Sequence, residues 1–297
     1  MFNKIIRLYN QNRRKFWTIV AIIVVGLLLL RLANYLAKLS LERQNNATPT
    51  NTTTTNSQTY SIISDTNIST SRANKNNEEI ENFIKYCNNK QIKNAYDMLS
   101  DDCKKYVFQD DINRFEKEYY DIIFSASRLY SKDNWITSND YTTYKVTYTN
   151  NLLSDGKYDS QQSFGDYITV TPDYKLNISK FVRARELQST CDNSDIEITA
   201  ITNETYIENE TLEVKIKNNT INDIDLVKTN KIYIVDSKDK KYNVSTNGIE
   251  EMLKIKSKET KNISLTINKT YNARKVKELV FEGITVKGQE VTIKIDF

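Results

Sequence analysis

The sequence predicts an α+β protein with a single transmembrane helix, a disordered linker, a cone-like α+β domain and a C-terminal all-β sandwich. Three observations predict this organisation. An uncharged apolar run fills residues 16–30, and apolar residues then recur at the helical period between residues 80 and 123. After residue 127 the apolar period changes to two. The cone-like domain is expected to contain three helices followed by about four antiparallel strands.

Composition and charge exclude several classes of chemistry. The 297 residues include no histidine, so the commonest general base and every Ser-His or Cys-His nucleophile pair are missing. Residues 1–38 carry seven basic side chains and no acidic one. Of the 42 basic residues, 35 therefore remain against 38 acidic residues in the rest of the chain. Because that part is nearly neutral, a basic surface for nucleic acid is not expected there.

Residues 16–38 are predicted to form the transmembrane helix, and residues 1–15 a basic cytoplasmic tail. The segment from Phe16 to Ala37 has 22 residues and is long enough to cross roughly 30 Å of hydrocarbon. Arg31 lies near its outer end, where the guanidinium can reach the lipid headgroups. Five basic residues precede the apolar run, which places the N-terminus in the cytoplasm and the C-terminal domains outside the cell membrane.

A cleaved signal peptide has the same basic-then-apolar start and is the alternative to a retained anchor. No small-x-small cleavage site directly follows the apolar run, and no cysteine offers a lipoprotein site there, so a retained anchor is favoured. Residues 2–15 also fit two interpretations. They are either a short interfacial helix on an anionic leaflet or a plain tail that fixes topology.

Residues 44–77 are predicted to be a disordered linker rich in Thr, Asn and Ser. These three residue types make up 22 of the 34 positions, which leaves too few large apolar groups to offset the entropy lost on ordering. The linker would hold the folded part of the chain away from the membrane.

Residues 78–188 are predicted to form the cone-like domain, with Asn77 capping its first helix. Glutamates in the first turn of this helix suit the helix dipole. Asp110 or Asp111 is expected to open the third helix. Apolar residues at helical spacing mark the three helices as Ile80, Phe83, Ile84 and Cys87, then Ile92, Ala95, Tyr96 and Leu99, then Ile112, Phe115, Tyr119, Ile122 and Ile123.

Alternating residues predict the strands. In the cone-like domain Tyr144, Val146 and Tyr148 alternate with polar residues, and further strands are expected at 167–170 and 174–181. Residues 194–297 are predicted to form an immunoglobulin-like β-sandwich. Its strands are marked by Leu212, Val214 and Ile216, by Ile263, Leu265 and Ile267, and by Val291, Ile293 and Ile295.

Several of these segments resemble known families. Asn82–Lys90 followed by Ala95–Ser100 resembles the first helical pair of nuclear-transport-factor-two-like domains. The strands Asp166–Val170 and Lys175–Ile178 are similar to those of clostridial membrane proteins encoded near conjugation genes. Residues 211–295 resemble the sandwich domain appended to many Gram-positive envelope proteins.

The order of a short tail, one span and an outer cone-like domain is similar to that of scaffold subunits in type IV secretion and Gram-positive conjugation. Those subunits assemble a channel and are not enzymes. The resemblance implies a non-catalytic, membrane-anchored assembly subunit outside the cytoplasm, whose partners are the membrane, other envelope proteins or further copies of itself. The best-known Gram-positive example has two cone-like domains, whereas the second module here is all-β. The alternative function is a cell-surface sensor that binds a small ligand in the pocket of the cone.

The cysteines and aspartates offer few candidate sites. Cys87 and Cys103 would either form a disulfide between two helices or be small buried apolar residues, and the second interpretation is favoured. The third cysteine, Cys191, makes the number of cysteines odd. Three scattered cysteines without histidine do not have the spacing of a zinc site. The pairs Asp101-Asp102 and Asp110-Asp111 are typical of helix caps rather than metal ligands.

Some relatives of the cone-like fold hold an Asp–Tyr isomerase or dehydratase pocket. Tyr86, Tyr96, Tyr119 and Tyr120 are available in this chain, but no motif places an acid beside them. The sequence therefore predicts no catalytic, cofactor-binding or metal site, and no cofactor.

Overall fold

A computed structural model describes residues 62, 66–138, 141–150, 163–227, 231–272 and 274–297. A helical layer comes first in the chain. It consists of α1 (Thr70–Asn88), α2 (Ile92–Asp97), the π-helical segment π1 (Cys103–Val107), α3 (Ile112–Phe115), the π-helical segment π2 (Glu116–Tyr120) and α4 (Asp121–Ile123).

The strands follow the helices. They are β1 (Arg128–Thr137), β2 (Thr142–Asn150), β3 (Phe164–Val170), β4 (Leu176–Asn177), β5 (Phe181–Asn193), β6 (Ile196–Tyr206), β7 (Glu210–Asn218), β8 (Ile224–Asp225), β9 (Lys231–Asp236), β10 (Lys241–Ser245), β11 (Lys254–Ile255), β12 (Thr260–Ile267), β13 (Val276–Val286) and β14 (Gln289–Asp296).

Helix α1 begins earlier than the sequence predicts. Its N-cap is Ser69, whose side-chain oxygen accepts a hydrogen bond from the backbone N–H of Arg72 at 3.2 Å. The predicted cap, Asn77, instead lies inside the helix and is buried. The predicted linker is therefore wrong for residues 70–77, which are helical.

Tertiary contacts explain this difference. The Asn76 amide donates to the Tyr144 hydroxyl at 3.1 Å, and Lys132 donates to the side-chain oxygen of Asn77. These asparagines are stabilised by partners on β1 and β2, distant in sequence. Their local composition therefore indicates a linker although they belong to the folded core. The rest of the predicted linker, apart from residue 62 and residues 66–69, lies outside the described residues.

The third predicted helix is present, but a π-helical turn occupies its centre. Asp111 caps it as predicted, because its carboxylate accepts the backbone N–H of Asn113 at 2.8 Å. The prediction of a cap is wrong for Asp102, which precedes π1 without a side-chain capping bond. The inward side chains of these helices pack against a four-stranded antiparallel sheet in the order β1-β2-β3-β4. Phe83, Phe115, Tyr148 and Ile168 are fully or almost fully buried in the core between the two layers.

The larger part of the strands forms an eight-stranded sheet in the order β14-β13-β9-β10-β12-β7-β6-β5. The sheet is curled, so that residues from its two halves share one core. Leu212 and Val214 of β7 belong to the same apolar cluster as Leu279 and Phe281 of β13. A separate two-stranded sheet pairs β11 with β8.

Strand β5 connects the two parts of the fold. Its first residue, Phe181, is buried in the core of the helical part, whereas Leu187 is buried in the core of the curled sheet. The strand pairs with β6 over its length, and register irregularities occur after Phe181 and Glu186. Such bulges bend a strand, which allows β5 to leave one core and enter the other.

The predicted fold class is wrong in its balance between helices and strands. The described chain is mostly β, and the eight-stranded curled sheet dominates it, rather than three helices followed by about four strands. Periodicity identified most segments correctly, but it does not reveal which strands pair. The segment 181–188, assigned to the cone-like domain, is therefore found at the edge of the larger sheet.

The predicted location in the membrane also needs correction. Among the described residues no helix combines the length and the apolar character needed to cross a bilayer. The longest of them, α1, has 19 residues and includes Arg72, Lys75 and several glutamates. The predicted span at 16–38 and the predicted tail at 1–15 lie outside the described residues.

Candidate functional site

The helical layer and the four-stranded sheet enclose a Tyr–Asp–Tyr network. Tyr119, in π2, donates its hydroxyl proton to the Oδ2 atom of Asp166 on β3 at 2.9 Å. The Tyr119 hydroxyl lies 3.3 Å from the hydroxyl of Tyr148 on β2. This is the arrangement of residue types that an Asp–Tyr active site would need.

Three backbone N–H groups also donate to the Asp166 carboxylate. Tyr167 donates to Oδ1 at 2.7 Å, Lys180 to Oδ1 at 3.1 Å, and Ser179 to Oδ2 at 3.2 Å. Ser179 and Lys180 have left-handed backbone conformations, with φ of 55° and 62°. Two successive left-handed residues turn both N–H groups toward the carboxylate, so Asp166 holds the turn that leads into β5.

Burial raises the pKa of Asp166 above its usual value, although its four hydrogen bonds act in the opposite direction. Burial also raises the pKa of Tyr119 and of Tyr148 well above the usual value for a phenol. The exposed fractions of these three side chains are 4%, 3% and 0%. With each carboxylate oxygen already accepting two hydrogen bonds and no access from solvent, the network stabilises the core and is not arranged to act on a substrate.

Sequence reasoning identified Tyr119 as a candidate but missed Asp166. The alternation along β3 could have indicated that Asp166 is buried, because Asp166 lies on the same face of the strand as the buried residues Ile168 and Val170. The other candidate tyrosines occupy structural positions. Tyr120 is buried in the core, and the Tyr96 ring packs against Phe115 with a centroid distance of 5.6 Å.

The three cysteines are free thiols. Cys87 and Cys103 are buried in the core below the helices, and burial raises the pKa of both, that of Cys103 to about 12. Cys191 is half-buried on β5. Within the described ranges, no group of three or more acidic, cysteine or histidine side chains is placed to hold a metal ion.

An open groove lies on the outer face of the curled sheet beside π1, and we call it the outer groove. It has a volume of about 640 Å³. Lys105 and Tyr106 of π1 form one wall, and β5, β6 and β7 form the floor. Both β5 and β6 have register irregularities at this point, between Glu186 and Ser189 and between Ala200 and Thr202.

The outer groove combines charged, hydroxyl and aromatic groups. The Nζ atom of Lys105 lies 3.5 Å from the Glu186 carboxylate, and both side chains are more than half exposed. The hydroxyls of Thr190 and Thr199 are 3.0 Å apart on adjacent strands. Glu213 adds a second carboxylate to the lining. These charged and hydroxyl groups can form hydrogen bonds and ion pairs with a bound partner.

No protein-family profile, curated protein or solved structure matches this chain. The class that the fold and the groove define is a mostly β protein with a helical layer and an open polar groove on its curled sheet.

Proposed function

We propose that this protein is a non-catalytic assembly subunit that binds an extended segment of a partner protein in the outer groove. The observation that carries the proposal is the position of the groove, where π1 overhangs two adjacent strands at their bulges. Bulges and π-helical turns are both enriched at functional positions because they redirect side chains locally.

The lining favours a polypeptide over other ligands. Thr190 and Thr199 offer hydroxyls that can donate to or accept from a peptide backbone, and Tyr106 offers a flat apolar surface with a polar tip. Lys105, Glu186 and Glu213 provide charges of both signs for side chains of the partner. Because the groove has two carboxylates and only one amine, its excess of acidic groups would repel the phosphates of a nucleic acid.

The interior of the helical part does not support the alternative of a small-ligand sensor. Tyr119, Tyr148 and Asp166 fill the space between helices and sheet and are almost completely buried. The resemblance to conjugation scaffold proteins supports assembly within a transfer apparatus as the setting of the proposed interaction.

Site-specific photo-cross-linking in the host that carries the gene tests the proposal. A photo-reactive residue is placed at Thr199 in the full chain, with Thr285 as the matched control, because Thr285 is an exposed threonine on β13 in the other half of the sheet. We expect adducts with one discrete partner protein at Thr199 and none at Thr285. Peptide mapping of the adduct should identify one continuous segment of that partner.

A pair of arginine substitutions tests the function of the groove. Thr199→Arg places a long cation in the outer groove. It should reduce transfer of the genetic element that carries the gene by roughly tenfold or more, which corresponds to a small loss of free energy for binding the partner protein. Thr285→Arg should leave transfer unchanged. Equal labelling at the two positions, or normal transfer by the Thr199→Arg strain, would contradict the proposed function.

A further inference from the structure

Three polar side chains lie buried together inside the curled sheet, and none of them lines the outer groove. Lys269 follows β12, Glu210 opens β7, and Asn203 is on β6. Their exposed fractions are 1%, 2% and 4%. Lysine and glutamate are rarely buried to this extent, so the group needs an explanation.

The Glu210 carboxylate lies between the amine and the amide. The Lys269 Nζ atom donates to Oε1 of Glu210, and the Asn203 Nδ2 atom donates to Oε2 at 3.3 Å. Lys269 also donates to the backbone carbonyl of Arg274 at 3.3 Å and lies 5.7 Å from the centre of the Tyr242 ring. The site therefore holds a nucleophile, an electrophile and a proton carrier in an enclosed space.

We propose that Lys269 and Asn203 form an intramolecular isopeptide bond, with Glu210 as the catalytic acid and base. This proposal goes beyond the proposed function and rests on none of the residues of the outer groove. It assigns a covalent modification site to a chain whose three cysteines are unpaired.

The reaction is balanced without any co-reactant. One proton passes from the Lys269 ammonium to Glu210 along the hydrogen bond that joins them, leaving a neutral amine and a neutral acid. The Nζ lone pair then attacks the Cγ atom of Asn203. Glu210, now a neutral acid, gives its proton to the departing Nδ2 atom and then takes one from the attacking nitrogen, so that it ends as a neutral acid. The amide C–N bond breaks, ammonia leaves, and an amide between Nζ and Cγ remains.

The environment favours each part of this sequence. The Lys269 amine and the Glu210 carboxylate are already joined by a hydrogen bond, which gives the initial proton transfer a direct path. Fixing both reacting groups on one carboxylate gives them a high effective concentration. A buried ion pair by itself is weak support for stability, since the cost of desolvation offsets much of the attraction. The buried Lys–Glu pair is thus better explained by chemistry than by its electrostatic energy.

The bond would tie β6 to the segment after β12 across β7, which lies between them in the sheet. It would close a loop between residues 203 and 269, so that the central part of the curled sheet could not be pulled apart without breaking covalent bonds.

Tryptic peptide mapping of the full-length protein tests the proposal directly. The unmodified chain yields residues 186–215 and residues 262–269 as separate peptides. With the bond in place, trypsin cannot cleave after the acylated Lys269. We expect residues 186–215 joined to residues 262–274, with a mass lower than the sum of the two peptides by one ammonia. Fragment ions should locate the link at Asn203 and Lys269.

Variants identify the role of each residue. Glu210→Gln retains both reacting groups but removes the proton carrier, and it should yield the two unlinked peptides. Lys269→Met, with an apolar side chain suited to the buried site, should also leave residues 186–215 unlinked, and because it removes the cleavage site at 269 the second free peptide should be residues 262–274. Lys261→Met is the matched control, because Lys261 is a nearby lysine whose amine contacts backbone carbonyls, and it should retain the link. Separate peptides from the unaltered protein, or a Lys269–Glu210 link with loss of water, would overturn the proposal even if a variant failed to fold.

Discussion

Tyr119 donates its hydroxyl proton to Asp166 over 2.9 Å, and this hydrogen bond joins π2 to β3 inside the core. The same carboxylate holds the backbone of Ser179 and Lys180, where the chain turns into β5. Asp166 thus links three parts of the structure: π2, β3 and the start of the curled sheet.

Asp166→Asn should lower the free energy of unfolding by about 2–4 kcal/mol. An amide of the same size cannot accept hydrogen bonds at both of its polar atoms. Either Tyr119 and the Ser179 N–H, or the Tyr167 and Lys180 N–H groups, would therefore lose their acceptor. Urea unfolding followed by circular dichroism measures the change.

Asp101→Asn is the matched control for this substitution. The Asp101 side chain is fully exposed, and its carboxylate lies 3.7 Å from the Lys104 amine. Its stability should stay within about 0.5 kcal/mol of the unaltered protein. If Asp166→Asn were equally harmless, the carboxylate would not be holding the turn into β5.

The sequence predicted secondary structure better than it predicted architecture. Hydrophobic spacing located the helical residues around Ile80 and Ile112 and the alternating strands around Leu212 and Ile263, because these patterns depend on nearby residues only. The beginning of α1 was missed because Asn76 and Asn77 are stabilised by side chains that lie far away in sequence. The pairing of β5 with β6 was missed although these strands are neighbours in sequence, joined by the short turn at Ser194 and Asp195.

The sequence indicates that Glu210 and Lys269 are buried, but it does not show that they contact each other. Glu210 alternates in phase with Leu212 and Val214, and Lys269 in phase with Leu265 and Ile267, so both fall on inward faces. Nothing in the spacing reveals that they meet, since 59 positions separate them. The outer groove depends on the approach of π1 to β5 and β6, and no local pattern shows that approach.

The cysteines should differ sharply in reactivity. In the native protein a thiol reagent is expected to modify Cys191 alone, because Cys191 is half-buried on a strand whereas Cys87 and Cys103 are buried in the core. Labelling with a maleimide followed by intact-mass measurement should find one adduct in the native state. Three adducts are expected after denaturation without a reductant.

Cys191→Ser is the control, and it should abolish the native adduct while leaving two in the denatured state. A denatured protein that takes up one adduct without a reductant and three with it would show that Cys87 and Cys103 form a disulfide. That result would contradict the free thiols of this structure.

Alkaline pH should unfold the protein through its buried phenols. Burial raises the pKa of Tyr119 and Tyr148 well above 10.0, the ordinary value at which these groups titrate in the unfolded chain. Above pH 10 the unfolded chain releases protons that the folded chain retains. Since the unfolded state then binds fewer protons, the free energy of unfolding must fall as the pH rises. Below about pH 9 these two groups contribute no pH dependence.

Tyr148→Phe isolates one of the two phenols. The hydroxyl of Tyr148 lies within hydrogen-bonding distance of Tyr119, whose own proton goes to Asp166, so its removal should cost little at neutral pH. In the unaltered protein each buried phenol should reduce the free energy of unfolding by about 1.4 kcal/mol for every pH unit above 10. Urea titrations at several pH values between 8 and about 11 should show a shallower decline for the variant. The part of the phenolate absorbance that Tyr148→Phe removes should appear together with unfolding rather than before it. An unchanged decline in Tyr148→Phe would show that Tyr148 is not protected from ionisation in the fold.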